Sequence, residues 1–117
     1  MPEVQYRGRI EVSPAAVASI TYAAVVTCYG VVGTVSKDLA TGIATTLDHD
    51  RKQGIVVRVE DGQVHIDVYV IIEYGTRIAT VARSVMSVVK YEVERALGVH
   101  VTEINVHVEG LRVSNID

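Results

Sequence analysis

The sequence contains no phenylalanine and no tryptophan, and its 117 residues include one cysteine and two prolines. A disulfide needs two thiols, so Cys28 cannot form one within the chain, and a reducing compartment suits this composition. Apolar residues still make up 49% of the sequence, so valine, isoleucine, alanine and leucine must fill the core. Because a chain of this length buries roughly two-thirds of its unfolded surface, we predict a single domain over residues 1–117, with a flexible terminus at residues 1–5.

The net charge is small and negative, at −3, with an isoelectric point of about 5.8. Binding to nucleic acid needs a concentrated positive face, so no nucleic acid partner is expected. Residues 13–36 contain no charged residue, and Arg7 and Arg9 before them imitate a signal peptide. Gly30 and Gly33 interrupt this run, which contains no leucine and is too polar to span a bilayer. We therefore expect no direct membrane insertion and a cytoplasmic protein.

The first third of the chain predicts a short strand at Tyr6–Val12 and then a helix. Ser13 and Pro14 are typical of a helix start, with a serine cap before proline at the first helical position. The predicted helix ends near Tyr29 and buries five apolar side chains: Val17, Ile20, Ala24, Val25 and Cys28. Its opposite side is only weakly polar. Because a solvated side normally carries charge, we expect another subunit to cover it.

A short strand and a short helix are predicted next. Gly30 to Gly33 ends the first helix and leads into an apolar strand through Val35. Ser36 can cap a helix in which three apolar residues share one side at four-residue spacing, namely Leu39, Ile43 and Leu47. A polar loop over Asp48–Gly54 follows. Its run Asp48-His49-Asp50 resembles a ligand cluster, but a solvated turn is the preferred interpretation, since adjacent loop residues seldom converge on one ion.

Two independent patterns predict a β-hairpin at residues 55–68. Asp61-Gly62 is a favoured two-residue turn, and a turn there pairs Val59 with Val64 and Val57 with Ile66. The same pairing places six apolar residues on one side: Ile55, Val57, Val59, Val64, Ile66 and Val68. A register slip of one residue would break both patterns.

After the hairpin, the sequence predicts a strand through Tyr74, a long helix and a return strand. Gly75-Thr76 caps the helix, and Gly98 ends it. Its apolar stripe comprises Ile78, Val81, Ala82, Val85, Met86, Val89, Val93, Ala96 and Leu97. The return strand directs Ile104, Val106 and Val108 inward. The predicted fold class is α+β: a small mixed β-sheet with a central hairpin, a long crossover helix and a parallel return strand, with the helices packed on one face.

The outer face of this sheet is the candidate functional surface. It presents Val56, Arg58, His65, Asp67, Tyr69, Ile71, Asn105, His107 and Glu109. Two histidines among carboxylates are suited to a metal or acid–base site. The plainest interpretation is a solvated face, and the next is a surface for a partner or for self-association. The adjacency of the last strand to the hairpin stays open at this stage, and no catalytic, cofactor or metal residue is assigned.

Two further motifs have an ordinary and a functional interpretation. Gly30-Val31-Val32-Gly33 matches the loop with which KH-type domains clamp a nucleic-acid backbone, and an RNA-binding module of that type is the alternative function. A helix stop before a buried strand is preferred, because cations are scarce there. The outer side of the long helix is mildly basic at Arg83, so an acidic partner or lipid headgroups can contact it, although a solvated face is the default. The sequence contains no nucleophile elbow, phosphate loop or zinc-ligand pair.

Taken in order, several stretches resemble the alkaline shock protein family of Gram-positive bacteria, also called envelope stress response proteins. They are Gly8–Pro14, Tyr29–Gly33, Gly54–Gly62, Val64–Gly75, Ile78–Ala82 and Val101–Gly110, which together cover most of the chain. One departure is the first helix, which is nearly uncharged here, whereas many relatives carry glutamate and lysine in it.

The resemblance implies a non-enzymatic, cytoplasmic protein connected with the cell envelope and with alkaline or general stress. Relatives assemble with themselves and can be held at the membrane by a separate membrane-anchored protein, so a homo-oligomer and such a partner are expected. The Tyr-Gly-Val-Val-Gly form resembles a subgroup whose genes lie near lipid-related kinases, which implies a connection with lipid metabolism. The family has no established catalytic residues and no cofactor to carry over to this chain.

Overall fold

The computed structural model describes residues 11–35 and 54–113. They contain two helices and four strands in one sheet. In chain order the elements are α1 (Pro14–Val25), β1 (Val31–Thr34), β2 (Ile55–Glu60), β3 (Gln63–Glu73), α2 (Ile78–Leu97) and β4 (Val101–Arg112).

Helix α1 begins as predicted but ends earlier. The Oγ of Ser13 accepts a hydrogen bond from the amide of Ala16 at 3.1 Å, and Pro14 occupies the first turn. The predicted end near Tyr29 is wrong, because the helix stops at Val25. The hydroxyl of Thr27 donates to the carbonyl of Ala24 at 2.7 Å. That carbonyl would otherwise accept the next α-helical bond, and the following amides form tighter turns instead.

Strand β3 is the centre of the sheet, and the predicted hairpin is confirmed pair by pair. Strand β2 is antiparallel to it with Ile55 opposite Val68 and Glu60 opposite Gln63. The turn residues Asp61 and Gly62 both have positive φ, at 51° and 76°, as a primed turn requires.

The other two strands complete a mixed sheet. Strand β1 pairs antiparallel with β3 beyond the end of β2, with Thr34 opposite Val70, so β1 and β2 share one edge of β3. Strand β4 pairs parallel with β3 from Val64 to Glu73 and therefore occupies the opposite edge. This pairing confirms the predicted parallel return strand and answers the question of adjacency that the sequence left open.

Both helices pack on one face of the sheet, where the core lies. Four valines at four-residue spacing form the buried stripe of α2: Val81, Val85, Val89 and Val93. The predicted stripe was too wide, since Ile78 and Met86 are 41% and 40% exposed and Ala96 is exposed. Ile78 lies in the first turn of α2, and Met86 lies beside the row of buried valines. Ala96 instead lines a groove between α1 and α2 together with Ile20, which is only partly buried.

The two ends of α2 have different chemistry. The predicted cap at Gly75-Thr76 is wrong, because the helix starts one residue later with Arg77 as the N-cap and no side-chain cap bond. The hydroxyl of Thr76 instead donates to the carbonyl of Glu73 at 2.7 Å and closes the preceding turn. The predicted stop at Gly98 is confirmed, with φ of 68° and its amide bonded to the carbonyl of Glu94.

Three predicted elements lie outside the described residues. The strand at Tyr6–Val12 falls there except for its last two residues, which are not in a strand. The short helix with Leu39, Ile43 and Leu47 and the loop Asp48–Gly54 also fall there, except for Gly54.

The single thiol gives a prediction about chemical reactivity and alkaline stability. Cys28 is 8% exposed, its Sγ lies 3.4 Å from the carbonyl oxygen of Ala24, and burial raises the pKa of the thiol. A raised pKa in the folded state means that the unfolded thiol ionises first. The stabilisation is therefore complete below the ordinary pKa of 9.0 and is lost as pH rises through the folded value.

We expect a thiol reagent to label Cys28 slowly in buffer and quickly in denaturant. Above pH 9.0, the wild type should lose more stability than the variant Cys28→Ala in urea titrations. Equal labelling rates in the two solvents would show that the thiol is accessible in the folded state.

Candidate functional site

The register places the predicted surface residues on one face of the sheet, opposite the helices. On the β2–β3 side, Arg58 lies opposite His65 and Val56 opposite Asp67. On the β3–β4 side, three pairs project from the same face: Asp67 with Asn105, Tyr69 with His107, and Ile71 with Gly110. We call this surface the outer face.

Two register shifts between β3 and β4 alter the predicted set: one affects Glu109, and the other brings in Glu103, which was not predicted. Val108 pairs with Val70, but Gly110 pairs with the next residue of β3, so Glu109 is left without a partner in the ladder and is exposed. A second shift, after Val101, leaves Thr102 unpaired and sets Glu103 opposite His65. Glu103 was missed in the sequence, although the two-residue period of Asn105 and His107 already pointed to it.

A chain of polar contacts runs along β3 and β4 on the outer face. The amide Nδ2 of Asn105 donates to Glu103 Oε2 at 2.9 Å and to Asp67 Oδ1 at 3.2 Å. The Nε2 of His107 lies 3.0 Å from the same Asp67 oxygen. Because an ionised carboxylate only accepts, this geometry places the proton of a neutral His107 on Nε2.

The ring of His107 is also held by an aromatic contact. It stacks on the ring of Tyr69 with centroids 4.4 Å apart and planes 11° from parallel. The hydrogen bond to Asp67 and this stack act at right angles to each other, so together they fix both the position and the orientation of the imidazole. The result is a flat, rigid area at the centre of the outer face.

His65 is the least satisfied group of this surface. Its Nδ1 is buried and has no hydrogen-bond partner among the residues that the structure describes. The nearest carboxylate oxygen, on Glu103, is 4.0 Å away, which is beyond hydrogen-bond range. The contact with Glu103 is an ion pair only when His65 is protonated, and it does not stabilise a neutral imidazole.

The geometry does not bring the predicted ligands together as a metal site. No group of three His, Cys, Asp or Glu side chains suited to an ion occurs within residues 11–35 and 54–113. His65 and His107 lie two rows apart and contact different carboxylates, Glu103 and Asp67. The Asp67–His107 pair has the form that orients a general base. Among the described residues it contacts Asn105 and Tyr69, and neither of these is a serine or cysteine nucleophile.

The Gly30–Gly33 motif does not form a free loop. Gly30 has φ of 88°, and a Cβ built on it would lie 2.7 Å from Cγ2 of Val81, so its backbone is packed directly on α2. Val31 and Gly33 belong to β1 and pair with Ile72 and Ile71 of β3, with Val32 at an irregularity between them. This arrangement gives no support to the alternative of a KH-type RNA clamp.

The other exposed surface is formed by the two helices. The exposed positions of α1 are uncharged, and they include Ala15, Ser19 and Ala23. A groove of about 390 Å³, mostly apolar, separates α1 from α2. Within the part of the chain that the structure covers, no helix combines the length and apolar character needed to cross a bilayer.

These features define a class of protein: an α+β fold in which two helices cover one face of a mixed sheet and the other face carries a rigid polar network. The chain belongs to the alkaline shock protein 23 family, described as having a cell envelope-related function, whose model matches residues 3–113. The resemblance seen in the sequence is therefore confirmed.

Relatives align with this chain over nearly all of its length. The uncharacterized protein YloU of Bacillus subtilis is 40% identical over 110 residues, covering 92% of each chain. The uncharacterized protein Spy1614 of Streptococcus pyogenes is 30% identical over 108 residues, covering 91% of this chain and 89% of the relative. No solved structure matches the chain significantly.

Proposed function

We propose that this protein is a non-enzymatic envelope-stress protein that works by self-assembly and by protein–protein contacts on the cytoplasmic side of the cell envelope. The cell envelope-related description of its family supports the setting, and that description names no reaction. A membrane-anchored protein partner and a connection with lipid metabolism belong to the same proposal. They rest on the resemblance alone.

The observation that carries the proposal is the exposed side of α1. A helix on the surface of a soluble protein normally carries charged residues there, but α1 has none along its 12 residues. Val26, directly after it, is 44% exposed. Such a surface loses little when it leaves water, because no charge has to be desolvated. It is therefore suited to burial against another protein.

Light scattering on the purified protein at several concentrations tests this proposal. We expect the mean mass to exceed that of the 12.7 kDa chain and to rise with concentration. The variant Ala23→Glu, which places a charge on the exposed side of α1, should weaken association about tenfold, as the loss of one well-buried contact does. Folding should be unaffected.

Val113→Glu is the matched control, since it adds the same charge at a residue that is 70% exposed and lies just after the end of β4. It should leave association unchanged. A wild-type chain that stays monomeric at every concentration would refute self-assembly.

A further inference from the structure

The two exposed surfaces of the molecule differ in charge. The strand register places both acidic and basic residues on the outer face, and the acidic ones are more numerous. The acidic residues are Glu60, Asp67, Glu73 and Glu103, and the basic residues are Arg58 and Arg112.

The uncompensated negative charge lies near the centre of that face. Arg58 approaches Glu60 at 3.8 Å, and Arg112 lies opposite Glu73 in the ladder. Within the described residues, neither Asp67 nor Glu103 forms an ion pair with a lysine or arginine, although Lys90 lines the same cleft as Glu103. Both carboxylates accept a hydrogen bond from the amide of Asn105. With both histidines neutral, the outer face is therefore acidic where β3 meets β4.

The helical surface has the opposite sign. From its N-cap to its middle, α2 carries Arg77, Arg83 and Lys90, all exposed, and no acidic residue. These three side chains form no ion pair or hydrogen bond within the described ranges. The acidic residues of α2 come later and are engaged, Glu92 with Arg95 at 2.9 Å and Glu94 with the amide of Val101 at 2.9 Å. We call the exposed side of α2 from Arg77 to Lys90 the basic face.

Helices α1 and α2 cover the inner face of the sheet, so the fold sets the two surfaces on opposite sides of the sheet. They approach each other at the β4 edge, where Lys90 and Glu103 line one cleft. We propose that copies of this chain associate head to tail, with the outer face of one copy packed on the helical surface of the next. This inference rests on the self-assembly proposed above and names its two contact surfaces. The contact is heterologous, so every copy keeps one surface of each kind free for the next neighbour.

Charge favours this arrangement over the symmetric ones. A two-fold contact between helical surfaces would set the basic face of one copy, with Arg83 and Lys90, against the basic face of the second copy. A two-fold contact between outer faces would oppose Glu103 and Asp67 in the same way. Like charges across an interface cost free energy, whereas complementary ones direct the partners and speed their encounter.

The apolar content of the two surfaces also matches. Val56, Tyr69 and Ile71 are partly exposed on the outer face, and the uncharged side of α1 lies beside the basic face. Helices already pack on the inner side of this sheet, and packed layers of helix and sheet are the common way to bury such surfaces. The head-to-tail contact would repeat that layering between molecules.

Two charge-reversal variants of the full chain test the contact. The first, Arg83→Glu with Lys90→Glu, makes the basic face acidic. The second, Glu60→Lys with Glu103→Lys, makes the outer face basic. All four positions are exposed, and circular dichroism with urea titration checks that each variant is folded. We expect each variant alone to associate at least about tenfold more weakly than the wild type.

The decisive measurement is an equimolar mixture of the two variants in the same light-scattering experiment. Each variant then has two surfaces of one sign, and the two kinds are complementary. We expect the mixture to recover the mass of the wild type, and added salt to reduce it.

Each other outcome overturns part of the scheme. If the wild type associates and neither variant weakens it, the head-to-tail contact is wrong while self-assembly stands. If only the basic-face variant is affected and mixing restores nothing, the contact is symmetric through the helices. If the basic-face variant associates like the wild type but binds phosphatidylglycerol vesicles more weakly than the wild type does, the basic face binds lipid and not a second copy. A monomeric wild type would refute both proposals.

Discussion

Replacing Gly54 with alanine is expected to destabilise the protein by about 3 kcal/mol or more, the range of severe single substitutions. Gly54 has φ of 75°, and a Cβ built on it would lie 2.4 Å from the carbonyl oxygen of Val35 and 2.9 Å from that of Tyr69. Both obstacles are backbone atoms, so neither can turn aside as a side chain would. Relief requires β1 and β3 to separate at the point where β2 begins.

Gly62→Ala is the matched control for this substitution. Its φ is 76°, nearly the same as that of Gly54, but no atom of the described part of the chain lies within 4 Å of the position of its Cβ. It should cost only the strain of the left-handed backbone, about 1–2 kcal/mol. Urea denaturation monitored by circular dichroism measures both values. Equal losses for the two variants would show that the close approach of strands at Gly54 does not exist.

The second large effect is expected at Ile72, compared with its neighbour Ile71. Ile72 is fully buried in the core, whereas Ile71 is partly exposed on the outer face. Replacing Ile72 with alanine removes three carbon atoms from a close-packed interior and should cost roughly 3–4 kcal/mol, within the range for such changes. Ile71→Ala should cost about 1 kcal/mol or less, because its site is already partly in water.

Urea titrations of the two alanine variants measure this difference directly. The comparison keeps the residue type, the strand and the substitution constant and changes only the face of the sheet. If Ile71→Ala proves the more costly change, the assignment of inner and outer faces along β3 must be reversed.

The hairpin shows how far local sequence determines this fold. The Asp61-Gly62 turn and the alternation of apolar residues independently specify the same pairing, and both act over short distances along the chain. Ser13 and Gly98 are similarly local, since a cap or a stop depends on the few residues around it. Predictions based on such features agree with the structure.

Features that depend on neighbours in space were harder to predict. The early end of α1 was missed for a different, local reason: the hydroxyl of Thr27 bonds to the carbonyl of Ala24 in competition with the helix, and the apolar pattern does not show this. The exposure of Ile78 depends on how far the sheet and α1 extend, which the helical period does not specify. Gly54 appeared to be an ordinary loop residue, because the two strands that approach it are distant in sequence.

The candidate site also has some features that the local sequence predicts and others that depend on strand pairing. The two-residue period was sufficient to assign His65, Asp67, Tyr69 and His107 to one face. The partnership of Asp67 with His107 and Asn105 required the parallel pairing of β3 with β4, including the shift after Val101. The position of Glu109 in the ladder could not be inferred. The bulge there arises from pairing between strands and does not change the alternation of apolar and polar residues in the sequence.

The central position of β3 also has a consequence for the order of folding. Strands β1, β2 and β4 all pair with β3, and these are the only ladders in the part of the chain that the structure covers. The β2–β3 hairpin joins residues close in sequence and can close within microseconds, while β4 must wait for the 20 residues of α2 to cross the sheet. We therefore expect β3 to act as the template for folding, with the two non-local strands, β1 and β4, added after the hairpin.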